Sequence, residues 1–410
     1  MIGAGIFVLS GSAAQAAGPG ALVSFALAGG SVLLTALCFA ELASAMPRAG
    51  GPYVFVREAF GESWGFIVGW SLWVGLALAT GFYCLGFAQY AALLVPGLPP
   101  QGAAAAVASL LVAINLTGSQ GAARLQNAMV LLLVAILVYY VARSWDSIDR
   151  TLHDPFFPYG WEAVLNTAAS VFVSYLGFEL IATAAEEMKR PERDLPLATF
   201  LSVTLVVCIY ALVMYTATGL VSHFDLGKSD SPLADAARVA LGPVGALLIV
   251  VAGLLATLSS ANTSIMASSR VGWALARDGL LPRALGEVHR RWRSPHVAVL
   301  TTGAVLLLAL LPRDIRRLAG AAGFLHLYPF IIITLAVLKL RRRPGYRPAF
   351  RVPGGALIPL GAALTNAFLL SKVQPHDALS GLLLLAPAIA YRSVRLLAAG
   401  LPWRLLGARR

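Results

Sequence analysis

The sequence predicts an all-α membrane protein folded as one polytopic domain. Three observations carry the prediction: apolar runs of about 20 residues recur along the chain, charged residues are scarce, and the positive ones collect in alternate loops. Hydrophobic residues make up 58% of the chain and charged residues 12%, with a mean hydropathy of +0.77. An average soluble domain carries roughly 25% charged residues, so no water-soluble coat can be assembled from this composition.

Taken in order, the first apolar run is short, Ile2 to Ala17, and ends at Gly18-Pro19-Gly20. The second, Ala21 to Met46, is closed by Pro47, and Gly50-Gly51-Pro52 then opens an amphipathic stretch that reads as a short interfacial helix. Spans 3 to 7 read as Trp64 to Val95, Ala103 to Leu116, Leu125 to Val141, Glu162 to Ala185 and Pro196 to Val221. Spans 8 to 12 read as Pro243 to Ser269, His296 to Leu311, Leu318 to Leu340, Pro353 to Leu370 and Ala378 to Tyr391, leaving 392–410 as a basic tail.

The net charge of +12 raises the possibility of a nucleic-acid partner, and its distribution removes it. With the loop after span 2 and the C-terminus placed in the cytoplasm, 23 Lys and Arg fall inside and 8 outside, together the 31 of the chain. That is the positive-inside bias of a plasma or inner membrane protein; the Arg313, Arg316, Arg317 cluster is a local exception, offset in part by Asp314. Cys38, Cys84 and Cys208 sit inside apolar runs without metal-ligand spacing and read as packing residues. The first residues lack the basic region of a cleavable signal, so the first apolar run is expected to belong to the mature chain.

Two runs carry interruptions at matching places, Gly3-Ala4-Gly5 at the start of span 1 and Ser174-Tyr175-Leu176-Gly177-Phe178 in span 6. Spans 1–5 (1–142) and 6–10 (161–340) each hold five crossings, an odd number, so the second set runs opposite to the first. Broken helices at corresponding places of an inverted repeat point to a midplane substrate site. A helix start offers N–H groups and a positive dipole end to a carboxylate, and a helix end offers carbonyls to an ammonium, where unmet polar groups cost several kcal/mol each. Close packing through small residues is the plainer account of Gly3 and Gly5 alone; the paired break in span 6 favours the site.

These breaks lie in longer motifs. Met1-Ile2-Gly3-Ala4-Gly5-Ile6-Phe7, Glu41-Leu42-Ala43 and Pro47-Arg48-Ala49-Gly50-Gly51-Pro52-Tyr53 resemble the opening of the amino acid/polyamine/organocation superfamily. Phe172-Val173-Ser174-Tyr175-Leu176-Gly177-Phe178-Glu179, the segment Glu186 to Pro196, and Ser268-Ser269-Arg270 through Pro282 are similar to the signatures of its amino acid permeases, including relatives of the cationic amino acid transporters. The resemblance covers essentially the whole chain. It implies the leucine-transporter fold, ten core helices plus two at the C-terminus, and a secondary transporter that moves amino acids by alternating access without a cofactor.

By the same resemblance, backbone amides of Gly3, Ala4, Gly5 and Ile6, with Ile2 beside them, would hold the substrate carboxylate. Carbonyls near Phe172, Val173 and Ser174 would hold the ammonium, with Tyr175 and Phe178 as candidates for a gate or side-chain pocket. The family places a further half-helix before the first motif. From Ile6 to Ala17 is about 18 Å of helix, short of a roughly 30 Å core, so the first helix reads as N-terminally truncated. The kept motifs favour a start upstream over a defective site. Some proton-coupled relatives place a lysine in span 5, where Gln126-Asn127-Ala128-Met129 stands here.

Further coupling or gating candidates are Glu179 and Glu41, carboxylates costly inside a membrane, and Ser260 and Ser264 on span 8, hydroxyls that also suit ordinary helix packing. Arg270, with Arg277, Asp278 and the Glu186, Glu187, Lys189, Arg190 cluster, could latch an inner gate, although a solvated loop surface accounts for them equally well. The partners expected are an amino acid, the lipid bilayer, and a coupled proton or exchanged amino acid. An intramembrane enzyme is disfavoured because the six histidines lie mostly in loops or near span ends with no metal-type pairing; a polyamine or organocation carrier and a non-transporting sensor stay open.

Overall fold

A computed structural model describes residues 2–46, 51–117, 122–180, 190–312 and 314–398, with backbone alone at 122–125 and 191–192. Expectations placed on Met1, Pro47 to Gly50, the Arg124 side chain, residues 181–189 with Glu186, Glu187 and Lys189, Arg313, and the tail from 399 fall outside the described residues.

Among the described residues every regular element is helical, and the helices follow the expected order. Span 1 is Ala4–Ala17, span 2 Ala21–Ala45, span 3 Glu62–Leu94, span 4 Pro100–Leu116, span 5 Ala122–Ser144, and span 6 begins as Gly160–Val171. Span 7 is Pro191–Leu220, and span 8 is the part of the helix Pro232–Arg277 that follows a break at Gly242, where φ is +67°. Spans 9 to 12 are His296–Ala309, Ile315–Leu340, Leu357–Ser371 and Pro375–Ala398. The amphipathic stretch after span 2 is the short helix Pro52–Phe60. Among the described residues seven helical stretches are long and apolar enough to cross a membrane, and the helices at spans 4, 9 and 11 are shorter apolar ones.

Several boundaries shift by a few residues from the sequence expectation, and two of the shifts have a clear physical cause. Span 7 starts at Pro191, where a proline forfeits no helical bond, and carries Pro196 inside it at the loss of one ladder bond. Span 12 runs on to Ala398 because Arg392, expected in the tail, is buried and pairs with Glu62 at 2.7 Å and with Ser63 on span 3.

Span 3 is the axis of the bundle: 89% of its apolar window is buried, against 28% for spans 5 and 12, which lie at the periphery. Small residues let partners approach it. Gly69 faces Leu275, Gly272 faces the Trp73 ring, and Gly253 faces Tyr90. The peripheral helices leave Leu131, Leu201, Leu308, Leu364 and Leu383 exposed, a surface that suits lipid and not water. Cys38 and Cys84 pack in the interior as expected, whereas Cys208 is exposed on span 7.

A candidate substrate site between two broken helices

Span 1 begins at Gly3, an extended residue with no side chain capping the helix. A helix that starts this way leaves its first-turn amides, here Ala4, Gly5 and Ile6, without intrahelical partners. Span 6 departs from α geometry at Phe172, tightens into a 3-10 turn over Phe172–Tyr175, and is broken by extended Leu176 and by Gly177, whose φ of +109° suits glycine alone. Its last carbonyls therefore lack helical partners.

The two ends meet. A methyl group on Gly5 would overlap both the main chain and the hydroxyl of Ser174, so the helices touch backbone to backbone only because residue 5 has no side chain. The Ser174 hydroxyl is buried with no hydrogen-bond partner among the described residues. Tyr210 of span 7 spans the junction: its phenol donates to the Ser174 carbonyl at 3.1 Å and accepts from the Gly3 amide. The Val173 carbonyl takes the Leu176 amide at 3.2 Å.

Cavities lie on either side of this contact. One of about 450 Å³ is lined by Ile2, Tyr83, Gln126, Gly177, Ser260 and Ser264 among others, drawing on spans 1, 3, 5, 6, 7 and 8. Its lining among the described residues carries hydroxyls, one amide and aliphatic side chains, with no carboxylate, amine or guanidinium. Ser260 and Tyr83 stand directly against Gly3, and Gln126 donates to Ser259 at 2.9 Å. The other cavity, about 530 Å³, lies beyond the contact between the outer halves of spans 1 and 6 and the ends of spans 10 and 12, where Asp314, Arg316, Arg317 and Asp377 line it.

The remaining expected residues separate into several groups. Ile2, Ser260 and Ser264 join the smaller cavity. Tyr175 and Phe178, expected as gate or pocket, turn away from the junction into packed core: the Tyr175 phenol donates to the Phe25 carbonyl at 2.8 Å, and the Phe178 ring packs edge-on to Phe39 and Phe330. The backbone turns extended at Leu176 and left-handed at Gly177, so neighbouring side chains leave on different faces. Phe172 joins the same cluster against Phe330.

Glu41 is fully buried and saturated: Arg341 donates to both its oxygens, and the Val352 amide and Tyr346 hydroxyl complete its shell. It fastens the end of span 2 to the chain after span 10 and so holds the scaffold, away from the cavity. Glu179, by contrast, accepts one bond among the described residues, from the Gly177 amide at 2.8 Å.

Arg270 is exposed on span 8, and the acidic residues expected opposite it lie outside the described residues. A latch does form nearby. Arg57 and Tyr53 of the interfacial helix both bond Asp278, at 2.6 and 2.5 Å, and burial together with that carboxylate pushes the Tyr53 phenol above its usual range. Tyr210 and Tyr83 went unnoticed in the sequence, and Gln126 was noted there only as standing where some relatives place a lysine, because each is one polar residue in an apolar helix; only their convergence marks them.

A multi-pass helical bundle in which the start of one helix meets a break in another is an architecture that suits a membrane transporter. The chain belongs to the amino acid permease family, whose model matches residues 1–378. It is 31% identical to a branched-chain amino acid permease of Bacillus subtilis, over 90% of this chain and 84% of that one. It is 29% identical to a methylthioribose transporter of the same organism, over 88% and 83%. A mitochondrial cationic amino acid transporter of Arabidopsis thaliana is 29% identical over 83% of this chain and 60% of its own length. These relatives are transporters and not enzymes.

Proposed function

We propose that this chain is a secondary active transporter that moves small neutral amino acids by alternating access. The observation that carries the reading is the contact of Gly5 with Ser174, which sets the start of one helix against the end of another between two cavities. A zwitterion fits that polarity: its carboxylate meets the first-turn amides of span 1, and its ammonium meets the carbonyls at Phe172 to Ser174 and the unpartnered Ser174 hydroxyl. The uncharged lining of the smaller cavity suits an aliphatic side chain better than a cationic one, which would require a carboxylate there. Residues 1–142 and 161–340 act as inverted repeats, and the loop after span 2 and the C-terminus face the cytoplasm.

A thermal-shift screen of the purified chain against the twenty amino acids and methylthioribose tests this. A ligand at a hundredfold its Kd stabilises the folded state by about 2.7 kcal/mol, so neutral aliphatic amino acids raise the melting point clearly. Gly5→Ala is expected to lower stability by about 1–3 kcal/mol through overpacking, read as a lower melting point, and to abolish the ligand response. An unchanged response in that variant, or a response to methylthioribose alone, would overturn the reading.

A further inference from the structure

Span 10 carries a histidine that no part of the site above uses. His326 lies in the middle of the span, fully buried, where Gly75 of span 3 makes room for its ring and Phe330 lies 5.9 Å away. Its Nε2 faces Glu179 Oε1 at 3.9 Å, and both atoms are buried without a hydrogen-bond partner among the described residues.

Hydrogen bonding fixes what these two atoms are. His326 Nδ1 lies 2.7 Å from the Ala322 carbonyl, which only accepts, so Nδ1 carries a hydrogen and the neutral ring presents a lone pair at Nε2. Glu179 Oε2 is engaged by the Gly177 amide, and an ionised carboxylate presents lone pairs at Oε1 as well. Two acceptors thus confront each other where water cannot relieve them, an arrangement that costs free energy until something sits between. One proton resolves it, as imidazolium facing carboxylate or as carboxylic acid donating to imidazole. A second proton sets donor against donor.

We propose that Glu179 and His326 form a one-proton site that couples transport to a proton gradient, which rests on the reading of this chain as a transporter. The coupling follows from position. Glu179 is two residues past the break at Gly177 and bonded to it, whereas His326 is fixed in continuous helix, so a movement of the break changes the gap that holds the proton. Leu176, Gly177 and Leu180 line the smaller cavity, which gives the proton a route to bulk water. The proton enters from water on one side and returns to water on the other, so no further reactant is required and one positive charge crosses per cycle.

The surrounding titratable groups leave the pair this role. Tyr83 of span 3 lies within electrostatic reach of Glu179, and Cys84 is beside it. Tyr210 of span 7 and Tyr175 of span 6 are spent on carbonyls, Glu41 of span 2 on Arg341, and Asp377 lies at the far end against Gly320.

The test has two arms. Infrared difference spectra of the purified chain without substrate, titrated from alkaline to acidic pH, are expected to show one carboxyl or imidazolium band that disappears in both Glu179→Gln and His326→Gln. A spectrum unchanged by either variant overturns the site. In proteoliposomes, uptake of labelled L-leucine is expected to be stimulated by an acid-outside gradient in the wild type. Both variants should lose that stimulation while still exchanging labelled for unlabelled leucine. Gradient stimulation that survives in both overturns the coupling. Absence of leucine exchange in the wild type with the infrared band intact would sink the transport reading and leave the proton site standing.

Discussion

Glu41 and Glu179 are both buried carboxylates at ends of membrane helices, 0% and 2% exposed, yet they are built for opposite purposes. Glu41 has every lone pair engaged by an arginine fork, an amide and a phenol, all from residues 300 or more positions away. Glu179 has one amide and a bare oxygen turned to an imidazole. A saturated buried carboxylate serves as a rivet; an under-coordinated one leaves an oxygen open to a further partner. The count of donors, and not depth in the membrane, separates them.

The comparison can be broken most forcefully at the rivet. Arg341→Ala strands a buried charge and is expected to cost about 3–5 kcal/mol, read as a large drop in the detergent melting point or loss of folded protein. Glu179→Gln should change stability by less than about 1 kcal/mol. Its amide offers one acceptor to Gly177 and one donor to His326, as the protonated acid does, so a melting point near wild type with altered pH response sharpens the contrast. The smallest effect belongs to a third carboxylate, Asp278, whose partner Arg57 has a side chain 37% exposed. Arg57→Ala is expected to cost about 0–1 kcal/mol, and the difference should shrink as salt is raised.

The fold was largely legible in the chain because the bilayer imposes a length on every apolar run. Span 2, expected over Ala21 to Met46, is helical over Ala21–Ala45, and span 9, expected over His296 to Leu311, is helical over His296–Ala309. Proline and glycine mark those ends sharply. Span 12 was read too short because a sequence shows an arginine as an interruption, and only the fold reveals Glu62 waiting 330 positions away to receive Arg392. The break at Gly177 was visible for the same local reason: glycine permits it.

Side-chain direction was not legible. Tyr175 and Phe178 flank the break in sequence, and yet the change of backbone conformation at Leu176 and Gly177 sends them into the core. Tyr210 and His326 carry no local signal at all. Each acquires its part from a carbonyl, amide or carboxylate supplied by another helix, and such meetings are set by packing and not by spacing along one chain.

Tyr210 has one more consequence. Its oxygen turns a lone pair to the start of span 1 and its hydrogen to the end of span 6, the same order of polarity that an amino acid presents with its two charged groups. On the reading proposed above, the hydroxyl would act as a built-in surrogate for the cargo: a solute arriving at the junction would replace this tenant bond for bond, so that loading would proceed as a swap of partners felt directly by span 7.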